Sequence, residues 1–88
     1  VIERTATIVN PLGLHARPAA LFVKLASGFA SQIDVAKDGE PVNGKSIMGV
    51  MMLAAEHGST LTIRADGPDE QEAVIALVGL VADGFGER

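Results

Sequence analysis

Polar and apolar residues alternate from Ile2 to Val9 (Ile-Glu-Arg-Thr-Ala-Thr-Ile-Val), and β-branched side chains dominate; this predicts a first strand with Ala6 and Ile8 on its inner face. Asn10-Pro11 ends that strand. The period then lengthens. From about Ala16 to Ser27 apolar residues recur at helical spacing, placing Ala19, Phe22, Val23 and Ala26 on an inward stripe that Gly28 closes. Because a residue before proline is pushed away from helical dihedrals, Arg17 is expected at the boundary, just outside this helix.

Gln32 to Ala36 reads as a second strand, Lys37-Asp38-Gly39 as a hairpin turn, and Glu40 to Val42 as a short third strand that Pro41 assigns to a sheet edge. So short a connection requires antiparallel pairing. Ser46 is the natural N-cap of a short helix over residues 47–53, weakened by Gly49 and followed by His57-Gly58 in the exit. Thr60 to Ala65 forms a fourth strand with Leu61 and Ile63 on one face. Asp66-Gly67-Pro68 opens a last helix over about 68–83, with acids in its first turn and Ala73, Val74, Leu77, Leu80 and Val81 inward. The order βαββαβα predicts an α+β domain, its helices covering one face of an antiparallel sheet while the other faces water.

At 88 residues the chain can build one modest core, so a single domain over residues 1–88 is expected, with no second lobe and no buried cofactor. It has no cysteine and only two scattered histidines, which argues against disulfides and against metal. No apolar run approaches the roughly 20 residues of a membrane span. A cytoplasmic protein without membrane insertion is expected. The net charge of −4 is uneven: residues 66–88 carry six acids against Arg88, while residues 1–65 carry five acids and six bases. The first part is therefore not acidic, which suits phosphate. It lacks the basic run that would neutralise a nucleic-acid backbone, and with three Phe and no Tyr or Trp it lacks stacking platforms. Nucleic acid is not expected as a ligand.

The chemistry concentrates in Leu12-Gly13-Leu14-His15-Ala16-Arg17-Pro18, where strand pattern gives way to helix pattern. Gly13 permits a tight turn, and Pro18 belongs in a helix's first turn or ahead of it. A helix N-terminus presents unpaired backbone N–H groups and partial positive charge, so the N–H groups of Ala16 and Arg17 can meet an anion there. The same positive end disfavours imidazolium in general, which keeps a ring placed there nucleophilic. Two readings of His15 follow from the residues: a surface or capping histidine, or a phosphoryl acceptor whose phosphate Arg17 pairs.

Gly13-Leu14-His15-Ala16-Arg17-Pro18-Ala19, together with Gly44-Lys45-Ser46-Ile47-Met48-Gly49-Val50-Met51, closely resembles the HPr family, the histidine-containing phosphocarriers of the bacterial phosphoenolpyruvate-dependent sugar phosphotransferase system. The likeness extends over the whole chain, including the Asp66-Gly67-Pro68-Asp69-Glu70 entry to the last helix. It implies a four-stranded open-faced β-sandwich with three helices. It also implies that His15 accepts a phosphoryl group on Nδ1 from phosphorylated enzyme I and passes it to IIA domains of sugar permeases, with Arg17 pairing the phosphate. Such a protein is a carrier and not an enzyme. A monomer is expected. An alternative within the resemblance is a carrier of a nitrogen-related or mainly regulatory phosphorelay.

A carrier needs a docking surface. The outward stripe of the first long helix is Arg17, Ala20, Leu21 and Lys24, and the short second helix is apolar nearly all round, so with Val50 and Leu53 inward some of Ile47, Met48 and Met51 must face out. From the residues alone these groups fill core gaps or meet partners; the resemblance implies partners. It also implies that Ser46, besides capping, is a regulatory site for HPr kinase/phosphorylase in some relatives. In one departure from the family pattern, Pro11-Leu12 precede Gly13 where a polar residue is common, which removes side-chain capping from position 12. His57 is assigned no role. Gly39 to Ser46 fits the G-x-x-x-x-G-K-[ST] phosphate-loop pattern, but Pro41-Val42 reads as an edge strand and the antiparallel neighbours do not suit such a loop, so the match is ascribed to chance.

Overall fold

The computed structural model describes residues 1–87. Four strands, β1 (Ile2–Thr7), β2 (Gln32–Ala36), β3 (Val42–Asn43) and β4 (Thr60–Asp66), form one sheet in the order β1-β4-β2-β3, with every neighbouring pair antiparallel. The helices are α1 (Ala16–Ser27), α2 (Ile47–Met51) and α3 (Glu70–Ala82), followed by a single 3-10 turn at Gly84–Gly86. This is the expected α+β, open-faced arrangement. Alternation along the strands explains it: Ala6, Ile33, Val35, Leu61, Ile63 and Ala65 are buried beneath the helices with Phe22, Ala26, Leu77 and Val81. The other face is polar, and there Arg64 stands opposite Glu3 on one neighbouring strand and Asp34 on the other.

Several boundaries differ from the expected ones. The first strand stops at Thr7 instead of Val9, although Ile8 remains fully buried and exchanges backbone hydrogen bonds with Gly58 and Ser59. The third strand is Val42–Asn43, not 40–42, because Pro41 has no N–H to offer a ladder. The second helix ends at Met51 and the third spans Glu70–Ala82, with Leu80 only partly buried. Arg17 lies inside α1 and not outside it: the helix starts at Ala16, and the packing of its apolar stripe outweighs the local preference of a pre-proline residue.

Asp69 does not cap its own helix. Its carboxylate instead accepts from the backbone N–H groups of Ala30 and Ser31, at 2.8 and 2.9 Å, and from the Ser31 hydroxyl. That hydroxyl, with the Ala30 N–H next, holds the Asp69 carboxyl below the usual carboxylate range. The start of α3 is thereby fastened to the loop between α1 and β2. Lys45 makes a similar tie, donating from Nζ to the Phe29 carbonyl at 2.7 Å, so the entry of α2 is held at the exit of α1. That lysine belongs to the phosphate-loop pattern noted above. Here the pattern contains an antiparallel strand, its lysine is engaged with a backbone carbonyl, and its serine hydroxyl caps α2.

Candidate functional site

The loop between β1 and α1 is held from beneath. Asn10, only 1% exposed, donates from Nδ2 to the Gly13 carbonyl at 2.7 Å, and Gly13 N–H donates to the Asn10 carbonyl at 3.1 Å. On the far side Leu14 N–H donates to the Ala55 carbonyl at 2.8 Å. Gly13 has φ +70, and a Cβ there would lie 2.7 Å from that same Ala55 oxygen. Glycine is required both for the backbone conformation and for the close approach. Gly13→Ala is therefore expected to cost about 1–3 kcal/mol of stability, read by thermal unfolding, and to disturb the amide signals of Leu14 and His15 before those of α3. An unshifted melting temperature would contradict this account of the loop.

His15 occupies the N-cap position of α1 with an extended backbone (φ −82, ψ −171), but its side chain caps nothing. The helix continues past it: the His15 carbonyl accepts from Ala19 N–H at 3.0 Å. In this first turn the N–H groups of Ala16 and Arg17 have no carbonyl a turn earlier to reach, and Pro18 has no N–H. The ring is 36% exposed, and Nε2 lies 3.1 Å from Oε1 of Glu87. Nδ1 makes no hydrogen bond to a described residue. The Arg17 side chain likewise has no hydrogen bond or ion pair among the described residues, and with Pro11, Leu12, Leu21, Phe85, Gly86 and Glu87 it lines an open groove beside the site.

Of the residues expected at the site, His15, Arg17 and the two backbone N–H groups share this one helix end. Ala20, Leu21 and Lys24 are exposed on α1, and Ile47, Met48 and Met51 on α2, which packs against α1. Val50 is fully buried and Leu53 partly so, as the pattern requires. Met52 is 76% exposed and extends the apolar surface beyond the expected set. The Ser46 hydroxyl accepts from Gly49 N–H at 3.1 Å, which makes it the cap of α2. His57 is exposed in the exit loop.

Two residues of the site escaped sequence reasoning. Asn10 was read only as the end of a strand, yet its amide is the bracket beneath the loop. Because its Nδ2 faces two oxygens, of Gly13 and of Glu87, the orientation of the amide is set by its partners. Glu87 entered the sequence reading only as one of the six acids of residues 66–88. A Gly-x-Gly spacing just before it, Gly84-Phe85-Gly86, is the signal that the chain could turn back there. Hydrogen bonding from His15, together with that from Asn10 and the nearby positive charge of Arg17, holds the Glu87 carboxyl below its usual range despite partial burial.

Among the described residues no group of three or more His, Cys, Asp or Glu side chains could hold a metal ion, and no helix is long and apolar enough to cross a membrane. The family profile described as "PTS HPr component phosphorylation site" matches residues 2–83. The phosphocarrier protein HPr of Cupriavidus necator is 55% identical over 87 residues, covering 99% of this chain and 98% of that protein. The crystal structure of HPr-C-His from Thermoanaerobacter tengcongensis superposes with a TM-score of 0.95 at 53% identity, covering 100% of this chain and 99% of that one. A crystal structure of an HPr dimer from the same organism has a TM-score of 0.79 at 54% identity, covering 99% and 100%. A helix end that, among the described residues, offers a free imidazole nitrogen and an unpaired arginine thus coincides with the phosphorylation-site profile over nearly the whole chain: this protein belongs to the HPr family, the phosphocarrier proteins of the phosphotransferase system.

Proposed function

We propose that the chain accepts a phosphoryl group on Nδ1 of His15 from phosphorylated enzyme I and passes it to IIA domains of sugar permeases, acting in the cytoplasm as one 88-residue domain. The observation that carries this reading is the state of the His15 side chain: it sits at a helix N-terminus, caps nothing, and leaves Nδ1 without a partner among the described residues. The N–H groups of Ala16 and Arg17 and the Arg17 guanidinium would receive the phosphate. Phosphoryl transfer is mainly positioning and charge stabilisation, and the partners supply most of both. Two or three donors at an exposed helix end hold a labile phosphoimidazole without trapping it. Incubation with phosphoenolpyruvate and a catalytic amount of enzyme I is expected to give one phosphorus NMR signal of a phosphoimidazole that disappears on acidification. No signal with active enzyme I would overturn the reading, and faster loading by the donor of a nitrogen-related relay would assign the chain to that alternative.

The exposed residues Ala20, Leu21, Lys24, Ile47, Met48 and Met51 form the docking surface in this reading: flexible methionines adapt to unlike partners, and Lys24 supports an acidic one. A single copy suffices, since His15 is already at the surface. Ser46 lies at the edge of that surface and is the regulatory site for an HPr kinase/phosphorylase where one exists. A phosphate there would keep the α2 N-terminus intact while placing negative charge on a surface meant for partners. Because unfavourable charge in an interface costs several kcal/mol, Ser46→Asp is expected to slow loading of His15 by at least about tenfold. Steady-state loading by enzyme I measures this, and the deficit should shrink as salt is raised. Loading at the wild-type rate would remove Ser46 from the proposal.

A further inference from the structure

The contact between His15 and Glu87 connects residues 72 positions apart, and the C-terminal segment is shaped to make it. Three successive residues have left-handed backbones, Gly84 (φ 65), Phe85 (φ 58) and Gly86 (φ 75). This conformation costs little for glycine but is strained for phenylalanine. Phe85 is nevertheless held there because its side chain is buried in the core, 4% exposed. The turn is closed by Gly86 N–H to the Asp83 carbonyl at 3.3 Å and Glu87 N–H to the Gly84 carbonyl at 3.0 Å. Glu87 is thus brought back to the start of α1, where Oε1 also accepts from Asn10 Nδ2 at 3.0 Å. Asn10 in turn is fixed by Gly13, in the loop that carries His15.

We propose that Glu87 is a positioning residue for phosphoryl acceptance by His15; this rests on the function proposed above. A carboxylate can only accept a hydrogen bond, so its place at Nε2 puts the imidazole proton on Nε2 and leaves the lone pair on Nδ1. When Nδ1 attacks, the N–P bond forms as the bond from phosphorus to the donor breaks, and the donor keeps that electron pair. Nε2 keeps its proton throughout, and the ring passes from neutral to cationic. The Glu87 carboxylate faces that developing charge from the side of the ring opposite the phosphoryl group, so it stabilises the cation while standing away from the incoming phosphate. A carboxylate behind a metal-bound histidine orients the ring and raises its basicity in the same manner.

The test is long-range nitrogen–proton correlation NMR of the imidazole rings in the full chain at about pH 9, where histidine rings are neutral. The exposed His57, which makes no hydrogen bond to a described residue, is the internal reference. In the wild type His15 is expected to show the Nε2–H form alone, and in Glu87→Ala to relax toward the mixture shown by His57. Loading by enzyme I is expected to fall on the order of tenfold in Glu87→Ala. Glu87→Gln, which keeps an acceptor without the charge, should restore the tautomer but only part of the rate. Identical His15 nitrogen shifts in wild type and Glu87→Ala would overturn the proposal, and so would equal loading rates. The nitrogen shifts are read without any phosphoryl donor. A wild type that shows the Nε2–H form but is never loaded would therefore overturn the phosphocarrier reading separately from the contact.

Discussion

His15→Ala is expected to abolish phosphoryl acceptance while leaving the fold intact. Histidine near a helix start often caps, and replacing a capping side chain by alanine costs about 1 kcal/mol. Here the ring accepts nothing from the helix N–H groups, and its backbone carbonyl, which alanine retains, carries the bond from Ala19 N–H. Away from the core such a change moves stability by about 0.5 kcal/mol or less. The chemistry has no substitute. His57 is the other histidine, and it lies in the exit of α2 without the N-terminal donors that His15 has. With phosphoenolpyruvate and enzyme I the variant should give no phosphoimidazole signal, and its melting temperature should stay within a few degrees of the wild type. A residual acid-labile signal would place the acceptor elsewhere, and a collapsed fold would mean that the ring has a structural role its geometry does not reveal.

Phe22→Ala should have the largest effect on stability. Phe22 lies in the middle of α1, is fully buried, and heads the largest buried side chains of the core together with Ile8, Ile33, Leu61 and Ile63. Truncating such a phenylalanine removes its transfer free energy and leaves a cavity, together costing about 3–5 kcal/mol. A domain of this size has only about 5–15 kcal/mol in total. Each kcal/mol lowers the melting temperature of so small a domain by about 4–8 °C, so a drop on the order of 20 °C is expected by calorimetry or circular dichroism. Since α1 is seated in the core through this residue and carries His15 at its N-terminus, loading should decline in step with the unfolded fraction on warming. A loss below about 1 kcal/mol would mean that the neighbouring helices collapse into the space left behind.

The functional consequences differ in kind. On the proposed function His15 is costly to lose as the group that would react, and Phe22 because it maintains the platform. The exposed apolar groups of α2 and its C-cap belong to neither class: Met48 and Met52 are 72% and 76% exposed, so truncating them should leave the melting temperature nearly unchanged. Their exposure is a feature of a helix of only five residues, too short to bury more than one face.

What could be read from the sequence was local. The strand and helix periods placed seven elements in order, and the Gly-x-His-x-Arg-Pro spacing marked the start of α1 as the candidate site. Those signals survive because they arise within a few residues: alternation along a strand, a stripe along a helix, a serine at a cap. Ser46 is the clearest case, since its hydroxyl meets the N–H three residues on. The ends of elements were less legible. Arg17 was expected outside α1 because its local preference opposes helix, and the burial of Pro18, Ala19 and Phe22 reversed that.

Folding alone brought together what lies far apart in the chain. Asp69 carries a carboxylate suited to its own helix, but tertiary packing turned it to Ala30 and Ser31. Nothing in the acidic composition of residues 66–88 distinguished Glu87 from the five other acids there. It reached His15 only because β1 delivers Asn10 to the floor of the loop and Phe85 anchors the last turn in the core. The sequence thus pointed to the proposed acceptor, His15, and its proposed cation, Arg17, which sit two residues apart on one helix start. The partner of the ring's second nitrogen depended on packing, because a carboxylate 72 residues away has no local pattern to announce it and finds its place only when the core forms.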